Sequence, residues 1–213
     1  MVMEKIKTSK ILKTVLIFLT SFLLSQTATA YLSVGETAEI LPEGFYKLGL
    51  QPQLILSDSS GFNMGVYFDT YLADSLNGRV EIGAGKTDFW TTASVKWVPI
   101  PDVDRQPALG IRGGLIYARS DSSNFYNFQI TPIVSKKADT RYGEMVPFVA
   151  LPITFLNTNS KSLVATQFAI GAEWFQNKDV NYGGELDMNM SNSFTSVSAF
   201  ISFPFDGTVG YKK

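Results

Sequence analysis

Beyond Ala30, hydrophobic and polar residues alternate with a period of two along most of the chain, and no stretch carries an apolar stripe of helical spacing for three turns. This is the pattern of a strand whose successive side chains point to opposite faces. Turn-forming residues divide the chain into ten runs: 44–56, 62–73, 75–86, 88–99, 106–119, 123–135, 143–156, 161–175, 180–190 and 193–205. The connections are short, as at 57–61, 157–160 and 191–192, and the longest are 99–105 and 136–142. Short links make successive strands antiparallel neighbours, and an even number lets the last strand pair with the first. The expected fold is therefore all-β: a closed antiparallel up-and-down barrel of about ten strands, with eight or twelve as the other even counts.

Splitting each run by parity predicts which face meets what. One set is predominantly apolar: Leu48, Leu50 and Leu54; Phe62, Met64, Val66 and Phe68; Val80 and Ile82; Val95 and Trp97; Ile111 and Leu115; Phe128 and Ile130; Val149, Leu151, Ile153 and Phe155; Val164, Phe168 and Ile170; Leu186 and Met188; Val197, Ile201, Phe203 and Phe205. Its only charges, Lys86 and Arg119, each end a run, where a long side chain reaches toward lipid headgroups. The opposite set holds Gln51, Gln53, Asn63, Asn127, Gln129, Gln167 and many glycines. It also holds the charges Lys47, Asp69, Arg79, Glu81, Lys96, Arg112, Glu173, Glu185 and Asp187. A lysine or arginine facing hydrocarbon at mid-bilayer costs roughly 2–4 kcal/mol, so this segregation predicts a transmembrane barrel with the nine charges as a lumen-facing polar network. Run seven departs from the pattern, with Val146, Phe148 and Ala150 on the inner parity, which predicts a bulge or an apolar patch inside. Aromatics crowd the run ends, among them Phe45, Tyr46, Phe62, Tyr71, Phe89, Trp90, Trp97, Tyr117, Phe155, Trp174, Phe175, Phe203 and Phe205, as headgroup-level girdles require.

Residues 1–30 fit a secretory signal: Lys5, Lys7, Lys10 and Lys13 precede the apolar run Val15–Leu24, and Ala28-Thr29-Ala30 offers a cleavage site. That run is too short for a membrane helix, which needs about 20 apolar residues. The expected organisation is a signal peptide over 1–30, a periplasmic N-terminal segment over 31–43, the barrel over 44–205 and a tail over 206–213. Removing the signal takes away four lysines and Glu4, which moves the formal net charge from −1 to −4 and argues against a nucleic-acid partner. The chain has no cysteine, which excludes disulfides, thiolate metal sites and a lipid-modified N-terminal cysteine. It has no histidine, the usual general base near neutral pH and the commonest zinc ligand.

From Gly44 to Phe205 the chain resembles the bacterial outer-membrane β-barrel proteins as a class. Its last run, with Val197, Ala199, Ile201, Phe203 and Phe205 on one face, is similar to the C-terminal signal read by the barrel-inserting machinery, although Asp206–Lys213 follow it here. The resemblance implies a periplasmic N-terminus, outward connections after odd-numbered strands, and the lipid bilayer, periplasmic chaperones and assembly machinery as partners. It also implies that enzymes of this class use histidine, which this chain lacks.

The remaining chemistry is sparse, and no cofactor is expected. Glu185 and Asp187 share a face about 7 Å apart, a spacing suited to acid–base work or calcium and also to a polar lumen strand. Gly83-Ala84-Gly85-Lys86-Thr87 lacks the spacing and following helix of a phosphate loop. The four basic and five acidic inner charges nearly balance, which suggests side chains pairing across a narrow lumen. The expected function is a non-enzymatic integral outer-membrane barrel, structural or surface-interacting, with a largely filled lumen. The alternatives are a narrow pore for ions or small solutes, and a soluble periplasmic barrel holding an apolar ligand, which would need the apolar parity inside.

Overall fold

A computed structural model describes residues 33–57, 60–120, 123–141, 143–158, 161–175 and 179–207. The expected signal peptide and cleavage site lie outside these residues, as do residues 208–213 of the tail. The strands are β1 (Phe45–Ile55), β2 (Gly61–Ala73), β3 (Leu76–Gly85), β4 (Phe89–Ile100), β5 (Ala108–Ser120), β6 (Ser123–Ser135), β7 (Ala138–Thr140), β8 (Gly143–Ala150), β9 (Ile153–Thr158), β10 (Lys161–Phe175), β11 (Asn181–Ser191) and β12 (Ser196–Asp206). β7 is a short arm that pairs only with β8, while β8 and β9 are two halves of one wall strand between β6 and β10. The wall thus has ten strands, all antiparallel, and it closes where β1 pairs with β12, from Phe45 opposite Asp206 to Ile55 opposite Ser196.

Run seven contains a break in hydrogen bonding without a slip in register. Ala150 faces Ile133 and Ile153 faces Ile130, so the count across Leu151-Pro152 is unbroken on the β6 side. On the other side Ala150 faces Ala169 and Ile153 faces Thr166. Pro152 has no N–H to give to the ladder, and Pro132 on β6 lies opposite the gap. The neighbours partly compensate: the Leu151 N–H donates to Pro132 O at 3.0 Å and the Gln167 N–H to Pro152 O at 3.1 Å. Val146, Phe148 and Ala150 are buried, so the apolar-interior expectation holds for this run and the bulge does not.

The apolar parity points outward on every wall strand, with Leu115 at 66% exposure, while Asp187 on the opposite parity is at 0%. This sidedness overturns the soluble alternative, which required the apolar set inside. Two aromatic clusters mark opposite rims. Tyr46 stacks on Phe68 and Phe205 at 5.7 and 5.6 Å near the chain-terminal end, and Tyr117 lies 6.3 Å from Phe89 and 5.2 Å from Tyr126 near the other. Trp90 corrects the girdle expectation: it follows outward-facing Phe89, points into the lumen and is buried.

The interior is also less uniformly polar than parity alone suggests. Trp90, Ile116 and Ala118 form one inner apolar cluster, Leu156 and Ala165 another, and Tyr67, Ile133, Phe148 and Phe200 belong to a third. The inner glycines make room for these rings. Gly49, Gly83, Gly171 and Gly183 stand directly across the ladder from Tyr67, Trp90, Phe148 and Phe200. A Cβ on any of the four would come within 2.0–2.5 Å of the facing ring.

The expected periplasmic segment over 31–43 is corrected for its described inner part. Ser33–Ala38 lie buried inside the barrel rather than outside it, and the chain emerges through Glu39–Gly44 at the end where β1 begins. The segment enters because the wall offers it both polar and apolar partners: Val34 and Ala38 join the largest inner apolar cluster.

Candidate functional site

The site is the barrel lumen around Ser33–Ala38. Seven wall strands supply its charges, and the period of two aims all of them inward: Lys47 from β1, Asp69 from β2, Arg79 and Glu81 from β3, Lys96 from β4, Arg112 from β5, Glu173 from β10, and Glu185 and Asp187 from β11. A charge in such an interior is tolerable only with a partner or hydrogen bonds. Asp69 and Arg79, paired across β2 and β3, form a bidentate ion pair with bonds of 2.6 and 2.8 Å. The Arg79 guanidinium also lies 4.1 Å from the centre of the Tyr67 ring, a cation–π contact. Lys47 bridges the lumen to Glu173 at 2.9 Å, and the Asn181 amide donates to the same carboxylate oxygen at 3.2 Å. Glu81 accepts the Trp90 indole N–H at 3.3 Å, and Asp187 accepts the Ser196 hydroxyl at 2.8 Å.

The remaining lumen charges meet the N-terminal segment. The Val34 and Gly35 N–H groups donate to the two oxygens of Glu185 at 2.6 and 2.7 Å. Arg79 donates to Val34 O and Gly35 O at 3.2 and 3.1 Å, and Arg112 donates to Val34 O at 2.9 Å. Lys96 donates to Thr37 O at 2.7 Å. Glu36 completes the set, with one oxygen 3.1 Å from Lys96 Nζ and the other 3.1 Å from Arg112 Nη1. Ser33 contacts the Gln51 side chain, and the Ala38 N–H donates to Ser135 Oγ at 3.1 Å. Gly35 sits at φ +54°, where a Cβ would fall 2.4 Å from the Gln51 amide oxygen, so both conformation and space call for glycine.

The lumen is therefore polarised across its width around the segment. Cations from β3, β4 and β5 face its carbonyls and its one buried carboxylate, while Glu185 on β11 faces its N–H groups. Toward the chain-terminal end a cavity of about 290 Å³ opens beside it, lined in part by Glu36, Lys96, Lys47, Asp69, Asn77 and Lys137. Lys137 in turn pairs with Glu39 at 2.9 Å.

Of the nine inner-parity charges, eight side chains are buried and that of Lys47 is 12% exposed, and the structure gathers Arg79, Lys96, Arg112 and Glu185 around one short peptide. It does not leave Glu185 and Asp187 as a free carboxylate pair, because Glu185 is engaged by the backbone of the segment. Among the described residues, no group of three or more metal-ligating side chains is gathered. Glu36 is the site residue that parity missed. It lies before the first run, outside any alternation, and the near-balance of wall charges gave no sign that a further carboxylate was needed.

No family model and no curated protein matches the chain. Among solved structures it is similar to a de novo designed transmembrane β-barrel, at 11% identity and TM-score 0.41 over 78% of this chain and all of that one. It is also similar to the outer membrane protein Omp33 of Acinetobacter baumannii, at 9% identity and TM-score 0.41 over 76% of this chain and 99% of that one. A third is the N-terminal β-barrel domain of Pseudomonas aeruginosa OprF, at 8% identity and TM-score 0.36 over 76% and 98% of the two chains. No role, substrate or partner passes from these proteins to this one.

Proposed function

We propose that this protein is a non-enzymatic integral barrel of the bacterial outer membrane with a structural or surface-interaction role, its lumen kept filled by side chains and by its own N-terminal segment. The observation that carries this reading is the burial of Ser33–Ala38 within the lumen, with Glu36 and Glu185 tied into the charge network. A carboxylate held by two N–H groups or by two cations is occupied in structure rather than poised for proton transfer. The connections after the odd-numbered wall strands, at 56–60, 86–88, 121–122, 159–160 and 192–195, are all short, so with the N-terminus in the periplasm the barrel lies flush with the cell surface. That favours a structural role over adhesion. Periplasmic chaperones and the barrel-assembly machinery are its expected partners during biogenesis.

A narrow pore is the second reading, favoured by one feature: the filling includes a segment that joins no wall strand by ladder pairing. Expression with the signal sequence, membrane separation and electrophoresis with and without boiling test the primary reading. It expects an outer-membrane band that shifts on heating and a purified barrel that is silent at low voltage in planar bilayers. Soluble periplasmic recovery, or a channel that stands open at rest, would overturn it.

A further inference from the structure

Lys96 and Arg112 face one another directly across the β4–β5 ladder. Like charges in that position destabilise a sheet unless an anion lies between them. No wall carboxylate takes that place: Asp69 serves Arg79, Glu173 serves Lys47, Glu81 meets Trp90, Glu185 meets the segment backbone and Asp187 meets Ser196. The bridging anion is Glu36, on a segment outside the wall. Both cations are buried, and the cavity beside Glu36 and Lys96 gives an approach from the chain-terminal end.

We propose that Lys96 and Arg112 form a recognition site for small carboxylate anions, occupied at rest by the Glu36 side chain, and that withdrawal of residues 33–39 opens an anion-selective path past them. The inference rests on the filled-lumen reading and adds to it a gate and a solute class. The segment can leave without breaking the wall, because no ladder pair holds it. Its grip is mostly ionic and hydrogen-bonded, through groups that water and a solute carboxylate can satisfy in turn. With Glu36 gone, two cations on adjacent strands are left without their carboxylate, and Arg79 keeps Asp69.

The chain has no cysteine, so a reversible lock can be introduced cleanly. A Cβ at Gly110 would lie 3.4 Å from Ala38 Cβ, near the lower end of the separation a disulfide spans. The A38C/G110C barrel is recorded in planar bilayers under a KCl gradient, oxidised and then reduced, beside a chain lacking residues 33–39 whose folding is checked by its heat shift. The expected result is silence when oxidised, intermittent unitary steps when reduced and steady steps from the shortened chain. The reversal potential should lie on the anion side, and propionate should lower the chloride current by competing at the site. Adding K96Q/R112Q to the shortened chain should move the reversal potential toward cations. A folded shortened chain with no steps, or with no anion preference, would overturn the proposal. If the shortened chain does not fold, the reduction step decides in the same way. Steps from the oxidised form would instead overturn the filled-lumen reading, and the proposal with it.

Discussion

At the scale of single residues, the lumen works by matching small against large. Gly83 faces Trp90, and an alanine there would place its Cβ 2.1 Å from the indole ring, which is itself buried and bonded to Glu81. Gly83→Ala is expected to cost about 1–3 kcal/mol, as overpacking does, read as a lower urea midpoint for unfolding in lipid vesicles. Glu185 tests the segment. Glu185→Gln leaves one of the Val34 and Gly35 N–H groups without its acceptor and removes a charge, at about 1–2 kcal/mol. Cleavage after Glu36 by a glutamate-specific protease should then be roughly tenfold faster, with the wall intact on a heat-shift gel. Parity in the sequence was enough to place Asp69, Arg79, Lys96 and Glu185 inside, because it fixes direction. It was not enough to name their partners, because a partner across the lumen depends on closure and shear, and Glu36 follows no strand pattern at all.

At the scale of elements, alternation carried most of the information, and its failures have local causes. Run seven departed from the pattern because its inner parity is apolar; its prolines interrupt hydrogen bonds while leaving the direction of side chains unchanged, and the inner Phe148 fills the space opposite Gly171 and Ser135. Trp90 was assigned to a girdle by its place near a strand end, yet the parity of its strand sends it inward. The two longest connections were legible as loops, but their clasp was not. Asp102 accepts a short hydrogen bond from the Lys136 ammonium and another from the Lys137 N–H at 2.6 Å, and Lys136 also donates to Asp104 O at 2.6 Å. Burial alone would raise the Asp102 pKa, but the Lys136 ammonium and the Lys137 N–H outweigh it and hold the carboxyl below its usual value. A depressed carboxyl stabilises the clasp above its unfolded pKa and loses that contribution as pH falls through the folded one. Proteolysis of the 101–107 loop should therefore accelerate on acidification below the normal aspartate range. Asp102→Asn should be fast already at neutral pH and lose most of that dependence.

At the scale of the whole molecule, the distribution of apolar surface decides the setting. An outer wall carrying Leu115, Val80, Ile82, Trp97 and Ile201, bounded by aromatic clusters at two rims, suits a bilayer and no aqueous compartment. Leu115→Arg, near the middle of β5 on the lipid side, is expected to cost roughly 2–4 kcal/mol of stability in vesicles. The same substitution would be nearly neutral on a water-facing wall, so urea unfolding of the vesicle-inserted variant separates the two. The most direct test of the account is which face of the wall meets lipid. Single cysteines introduced at Ile111 and Ile170 on the outer parity, and at Ser198 on the inner, can each carry a fluorophore in a barrel folded into vesicles containing brominated lipid. Strong quenching at Ile111 and Ile170 with little at Ser198 is the predicted result, and quenching at Ser198 with protection at the other two would contradict it.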